Sequence, residues 1–224
     1  MFSVATFSFL NEVTANNNRA WFNANKSRYE SVVREPALEF IAAMGPLLAG
    51  FAPNFRAEPR KVGGSLMRVF RDTRFSRDKS PYKTNIGIQF RHSKGKDVHA
   101  PGFYLHVATN ECFLGAGCWH PEADSLGRIR GLIAANPKRW FAARDDRKFG
   151  GHWTLAGDVL KRPPRGYATD HPAVGDLKRK DLIALAPLSI EDVISPGLLG
   201  LAGRRFASAA PLMRFPCEAL GVPY

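Results

Sequence analysis

Two positions apart on one alternating segment, "GFYLHVA" from Gly102 to Ala108, stand a phenol and an imidazole, Tyr104 and His106. Phe103, Leu105 and Val107 separate them, so a strand here puts the apolar side chains on one face and both polar rings on the other. An imidazole titrates near neutral pH and can act as acid, base or donor to an anion. A strand histidine that is merely packed and hydrogen-bonded does none of this. Gly115 and Gly117 in the following "CFLGAGCW" leave bare backbone beside the pair, where a ligand or a second backbone could approach.

The second chemical signal is charge. "RVFRDTRFSRDKSPYKTN", Arg68 to Asn85, sets six basic and two acidic residues around three aromatics. The whole chain has a formal net charge of +12, of which residues 68 to 96 carry +7 and residues 161 to 180 carry +4. A surplus clustered in this way suits an anionic partner better than a scattered one, although basic residues also simply solvate a surface. Within the first cluster Asp72 and Asp78 are placed to orient guanidinium groups, while Phe75, Pro81 and Tyr82 are placed to pin a loop. Arg71, Arg74, Arg77, Lys79 and Lys83 outnumber the local acids, and a phosphate or carboxylate would complete the set. An internal Arg/Asp network that only fastens the loop is the alternative. The second cluster adds Lys161 and Arg162, with His171 before Pro172 read as shaping a turn.

Other chemistries lack their motifs. The phosphate loop, the dinucleotide glycine motif, H-E-x-x-H and G-x-S-x-G do not occur. "HPE" at His120 to Glu122 has no P-C-x-x-C after it, so a deaminase-type metal site is not indicated. No cofactor and no metal are expected. Cys112, Cys118 and Cys217 form an odd set without a C-x-x-C pair, which suits a reducing compartment. The amino terminus lacks the pattern of a secretory signal. "IAAMGPLLAGFA", Ile41 to Ala52, is too short for a membrane span and is interrupted by Gly45 and Pro46. The expectation is a soluble, cytoplasmic protein without a membrane partner.

These residues need a frame. Asn16 to Asn18 are candidate N-caps for a helical region in which Pro36 should kink or divide the helix. The period then falls to two: strands are expected at "SLMRVFR", "NIGIQFR" (85–91), "GFYLHVA" (102–108) and "CFLGAGCW" (112–119), the last two joined through Thr109 and Asn110. If the first strand ends near Arg71 and the second begins near Asn85, about a dozen residues form the connection, longer than a hairpin needs. "SLGRIRGLIAANPKRWFAAR" reads as a helix interrupted near Pro137. "DLKRKDLIALA" suits a short helix or an edge strand, and Ser189 and Ser195 suit helix starts. The result is one α+β domain over 1–224: helices at about 6–50, a mainly antiparallel sheet at about 60–119 and a helical part at about 123–220.

"NNNRAWFNANKSRYE", "FRDTRFSRDKSPYKTNIG", "APGFYLHV", "GAGCWHP" and "LKRPPRGYATDHPAVGDLKRK" together resemble the signature segments of the DUF2461 family of bacteria and fungi. The resemblance covers almost the whole chain. Ala116 between Gly115 and Gly117 departs from a run of three glycines, which touches local backbone geometry only. The resemblance implies no reaction, substrate or catalytic residue. Three functional readings therefore stand on the residues alone. One is a module that binds an anionic small molecule or nucleic acid in a groove formed by residues 71 to 83 and 161 to 180, with Phe75 and Tyr82 stacking a base. Another is an enzyme acting on a phosphorylated substrate, in which Arg71, Arg74 and Lys79 stabilise charge and His106 or Tyr104 transfers a proton. The last is a structural or partner-docking domain, marked by Arg/Asp pairs without a pocket.

Overall fold

In the computed structural model, which describes residues 1–95 and 99–224, an antiparallel sheet carries helices on one face. The chain opens with α1 (Val4–Ala15), α2 (Arg19–Ala24), α3 (Lys26–Tyr29), a π-helical turn (Glu30–Arg34) and α4 (Glu35–Phe51). Next come β1 (Asn85–Arg91), β2 (Gly102–Ala108) and β3 (Cys112–Cys118). The rest comprises α5 (Ala123–Ala135), α6 (Pro137–Arg144), α7 (Arg147–Gly150), β4 (Thr154–Ala156), α8 (Val174–Leu177), β5 (Leu182–Leu188), α9 (Ile190–Ile194), α10 (Leu198–Ser208) and α11 (Ala210–Ala219). Spatial order is β1-β2-β3-β5-β4, antiparallel throughout.

Local signals explain most boundaries. The Asn18 side chain accepts from the Trp21 backbone N–H and starts α2. Pro36 is the second residue of α4 and follows directly on the π-helical turn, with helical backbone angles kept at Arg34 and Glu35, so the helical region changes its winding there without being cut in two. Helix α4 runs on through Gly45 and Pro46, because Phe40, Ile41, Met44 and Leu48 bury one continuous stripe. Ser189 caps α9 with a capping box. Ser195 does not start α10: its Oγ accepts from Gly197 N, and the helix begins at Leu198.

Helices α4 and α10 pack on the face formed by Ile88, Phe90, Phe103, Leu105, Leu114 and Ala184, all at most 0% exposed. Phe206 of α10 meets Phe90 and Phe103 edge-on and tilted, at ring distances of 6.1 and 4.9 Å.

Three expectations about the sheet need correction. Residues 65–71 are not a regular strand. They lie along the outer edge of β1 through isolated bridges, Leu66 to Ile88 and Phe70 to Tyr82, whose registers differ, so the pairing is bulged between them. Because Arg71 N still reaches Pro81 O and Lys83 N reaches Val69 O, only residues 72–80 project as a loop. The part expected to be helical supplies β4 and β5, and β5 is an interior strand between β3 and β4 instead of an edge. Its Ala/Leu-rich sequence has little strand propensity, and non-local pairing along all of β3 decides its state.

Candidate functional site

On the face of the sheet turned away from α4 and α10, a cavity of about 430 Å³ lies against residues of β1, β2, β3 and β5. Cross-strand register builds this surface in three rows. Gly87, His106, Phe113 and Pro187 form one; Gln89, Tyr104, Gly115 and Leu185 the next; Arg91, Gly102, Gly117 and Ile183 the third. The glycines thus make a strip of bare backbone flanked by rings on one side and by Ile183 and Leu185 on the other. Gly87 has its own reason to lack a side chain, since a Cβ there would stand 2.6 Å from the Tyr104 hydroxyl. Met67, from the segment beside β1, and Trp119, just past β3, complete the walls.

Tyr104 and His106 both line this cavity, as strand alternation requires. The Tyr104 hydroxyl lies 3.2 Å from His106 Nδ1, and the imidazole stacks on Phe113 with centroids 4.7 Å apart and planes within 3°. Burial pushes the Tyr104 phenol up to about 12, so it stays protonated at neutral pH and can donate to Nδ1. Burial lowers the His106 pKa below its ordinary 6.5, against a smaller opposing pull from Glu111, whose carboxylate is 3.9 Å from Nε2. A neutral imidazole with one nitrogen hydrogen-bonded and the other beside a carboxylate is competent to take up or give a proton.

The rim holds a separate construction. Asp181, 2% exposed, accepts a hydrogen bond from His120 N at 2.6 Å and lies 3.2 Å from His120 Nδ1. His120 has φ 46°, in the left-handed region, and among the described residues no other non-glycine has positive φ. Gly157, at φ 90°, leaves room for the carboxylate: a Cβ there would be 2.9 Å from Asp181 atoms.

The basic loop is internally fastened. Arg74 holds Asp72 through two bonds of 2.7 and 3.0 Å, Arg71 pairs with Asp78, and Lys79 Nζ donates to Thr73 O at 2.9 Å. Hydrogen bonds from Arg74 draw the Asp72 carboxyl down to about 2; those from Ser80 and Arg71 draw Asp78 lower still. Arg77 has no such partner among the described residues, and Phe75 beside Arg74 is 94% exposed. Two assignments change. Tyr82 is a core residue, 3% exposed, with its ring stacked 3.9 Å from Phe22, so it is not placed to stack a base. Lys83 turns toward a small apolar cavity lined by Phe22 and Tyr29, where burial and the nearby Arg68 lower its pKa.

The two basic segments do not form one groove. Residues 72–80 adjoin β1, whereas residues 161–180 join β4 to β5 at the opposite edge, four strand spacings or roughly 20 Å away. Lys161 and Arg162 are exposed there. His171 shapes its turn, with Nδ1 accepting from Ala173 N and Nε2 lying 3.2 Å from Ala134 O. Nor do His106 and the loop cations meet: among the described residues lining the cavity there is no Arg or Lys.

The family model described as Conserved hypothetical protein (DUF2461) matches residues 5–215. The chain belongs to that family. No curated protein and no solved structure matches it. The family description names no reaction, which leaves geometry to argue function.

Sequence reasoning found Tyr104, His106 and the glycine strip but missed Met67, Phe113, Trp119, Ile183 and Leu185 as cavity walls. Phe113 and Trp119 were within reach of a register argument, since a two-residue turn at Thr109 and Asn110 places Phe113 opposite His106. Ile183 and Leu185 depend on the β3–β5 pairing, which has no local signal.

Proposed function

We propose that this protein binds a largely apolar small molecule in the cavity on the open sheet face, anchored through the Tyr104 hydroxyl and His106. The observation that carries the reading is the lining itself: aromatic and aliphatic walls, a backbone floor and few polar groups, in a volume typical of ligand sites. With no cation among the described lining residues, a phosphorylated occupant would be left without compensation, so the occupant is uncharged where it lies in the cavity. The Tyr104–His106 pair also equips the site to move a proton on such a molecule.

The test uses a neutral apolar fluorophore, phenylnaphthylamine. Wild type should bind it with increased emission and a raised melting temperature. Gly115→Leu, which fills the floor where an added Cβ alone would lie 3.3 Å from Tyr104 Cβ, should weaken binding at least about 10-fold. Equal binding by both proteins would refute the cavity as the site.

A second reading concerns the exterior. Phe75, fully displayed beside Arg74 and Arg77, supports contact between the 72–80 loop and a polyanion such as nucleic acid, by ring stacking and phosphate pairing. It engages one sheet edge and is independent of the cavity.

A further inference from the structure

Apart from Phe103, whose ring lies on the core side, four residues lining the cavity carry rings, and three of them form one wall: Tyr104, His106 and Phe113 lie within 6.0 Å of one another, centroid to centroid. The fourth, Trp119, stands apart at the other end of the glycine strip, next to Gly117. Its indole is 51% exposed, whereas Trp140 and Trp153 are buried at 0% and 4%. A half-exposed tryptophan needs support to hold one orientation, and here it has three. The ring lies parallel to that of His99 within 12°, at 6.3 Å; it abuts the His120 ring at 4.3 Å; and the backbone immediately after it is fixed by the bond from His120 N to buried Asp181. A left-handed histidine costs conformational energy, and such strain persists where the surroundings over-determine it.

From this geometry we infer that the cavity takes a flat aromatic ring, gripped against Trp119, and that Asp181 is the positioning residue that keeps Trp119 at the mouth. The inference rests on the cavity reading above and adds the class of occupant. Ring-bearing walls facing a side-chain-free floor favour a planar π-system over a puckered or branched body, since stacked and edge contacts add to simple burial. Asp181 acts through the chain: it accepts the His120 N–H, the left-handed turn follows, and Trp119 is set by that turn.

A matched pair of neutral alcohols tests this, naphthol and its saturated counterpart decahydronaphthol, which share a skeleton and a hydroxyl for Tyr104. Calorimetry should show wild type preferring naphthol by roughly 5-fold, the scale of an aromatic contact. Trp119→Leu should reduce that preference to within about 2-fold. Asp181→Ala should do the same. Because loss of a buried carboxylate can harm folding, His120→Val supplies a second route: a β-branched residue resists positive φ, so it should also erase the preference at a half-exposed position. His120→Gly, which suits that backbone and retains the N–H to Asp181, should keep the preference. Survival of the naphthol preference in Trp119→Leu or His120→Val, while Gly115→Leu abolishes binding of both alcohols, overturns the aromatic grip and leaves the cavity standing. Failure of wild type to bind either alcohol, or binding untouched by Gly115→Leu, overturns both readings.

Discussion

The two faces of the central strands are made from alternate residues of the same segments, yet they have opposite character. On β2, Phe103, Leu105 and Val107 are each 0% exposed beneath the helices, while Tyr104 and His106 between them face a cavity. On β3 the core side carries Leu114 and Ala116, and the open side carries glycine at 115 and 117. One face is packed with buried apolar side chains; the other alternates rings and aliphatic side chains with bare glycine backbone. Core packing and cavity lining are therefore separable along a single strand, one residue apart.

The largest break in that contrast should come from the core side. Phe103→Ala should destabilise by about 3–5 kcal/mol in denaturant titration, through lost burial and an unfilled cavity against Phe55 and Phe206. Tyr104→Phe, its immediate neighbour, should cost no more than about 1.5 kcal/mol, the worth of one hydrogen bond. Comparable losses at the two positions would mean that the open face is core after all.

A smaller effect should appear with pH. His106 is held neutral by burial, its folded pKa lying below the ordinary 6.5. Above that ordinary value the imidazole is neutral in both states and contributes no pH dependence. As pH falls through it, the unfolded chain takes the proton first and stability declines until the folded pKa is reached. His106→Gln should flatten the part of the unfolding profile that declines as pH falls through the ordinary imidazole value of 6.5. A profile unchanged by the substitution would show that His106 is as well solvated as a surface histidine.

The smallest effect on folding, within about 0.5 kcal/mol, is expected for Arg74→Ala and Arg77→Glu on the exposed loop. Their signature is elsewhere: heparin or oligonucleotide affinity should fall, together with the steepness of its salt dependence, while phenylnaphthylamine binding stays the same. Loss of both activities together would join the loop to the cavity and undo the separation.

Where short-range signals govern, the sequence is explicit. The bounds of β1 and β2 follow from alternation, the break between α5 and α6 from Pro137, and the start of α9 from Ser189 and Asp192. The open-face positions of Tyr104 and His106 follow from period two alone. What escaped was fixed by partners distant in the chain. Tyr82 looked like a loop aromatic until Phe22, 60 positions earlier, covered it. Leu182–Leu188 looked helical or peripheral until β3 claimed it. Ile183 and Leu185 join the cavity wall through that one pairing. Clustering of charge along the chain proved a poor guide to clustering in space, because the two basic segments flank a sheet whose width no local pattern records.

The irregular borders of that sheet carry a consequence for how the protein behaves at high concentration. A long straight strand at a margin invites another molecule to add to it. Here the β1 margin is covered by residues 65–71, which pair only at scattered, bulged points, and the far margin is the three-residue β4. Beyond the reach of β4, strand β5 offers Pro187, which has no N–H to donate, and the Pro187 carbonyl already accepts from Arg205 Nη1 at 2.6 Å. Among the described residues neither margin is a long regular strand, so edge-to-edge addition of a second copy is disfavoured by the same departures from regularity that made the outer segments hard to read.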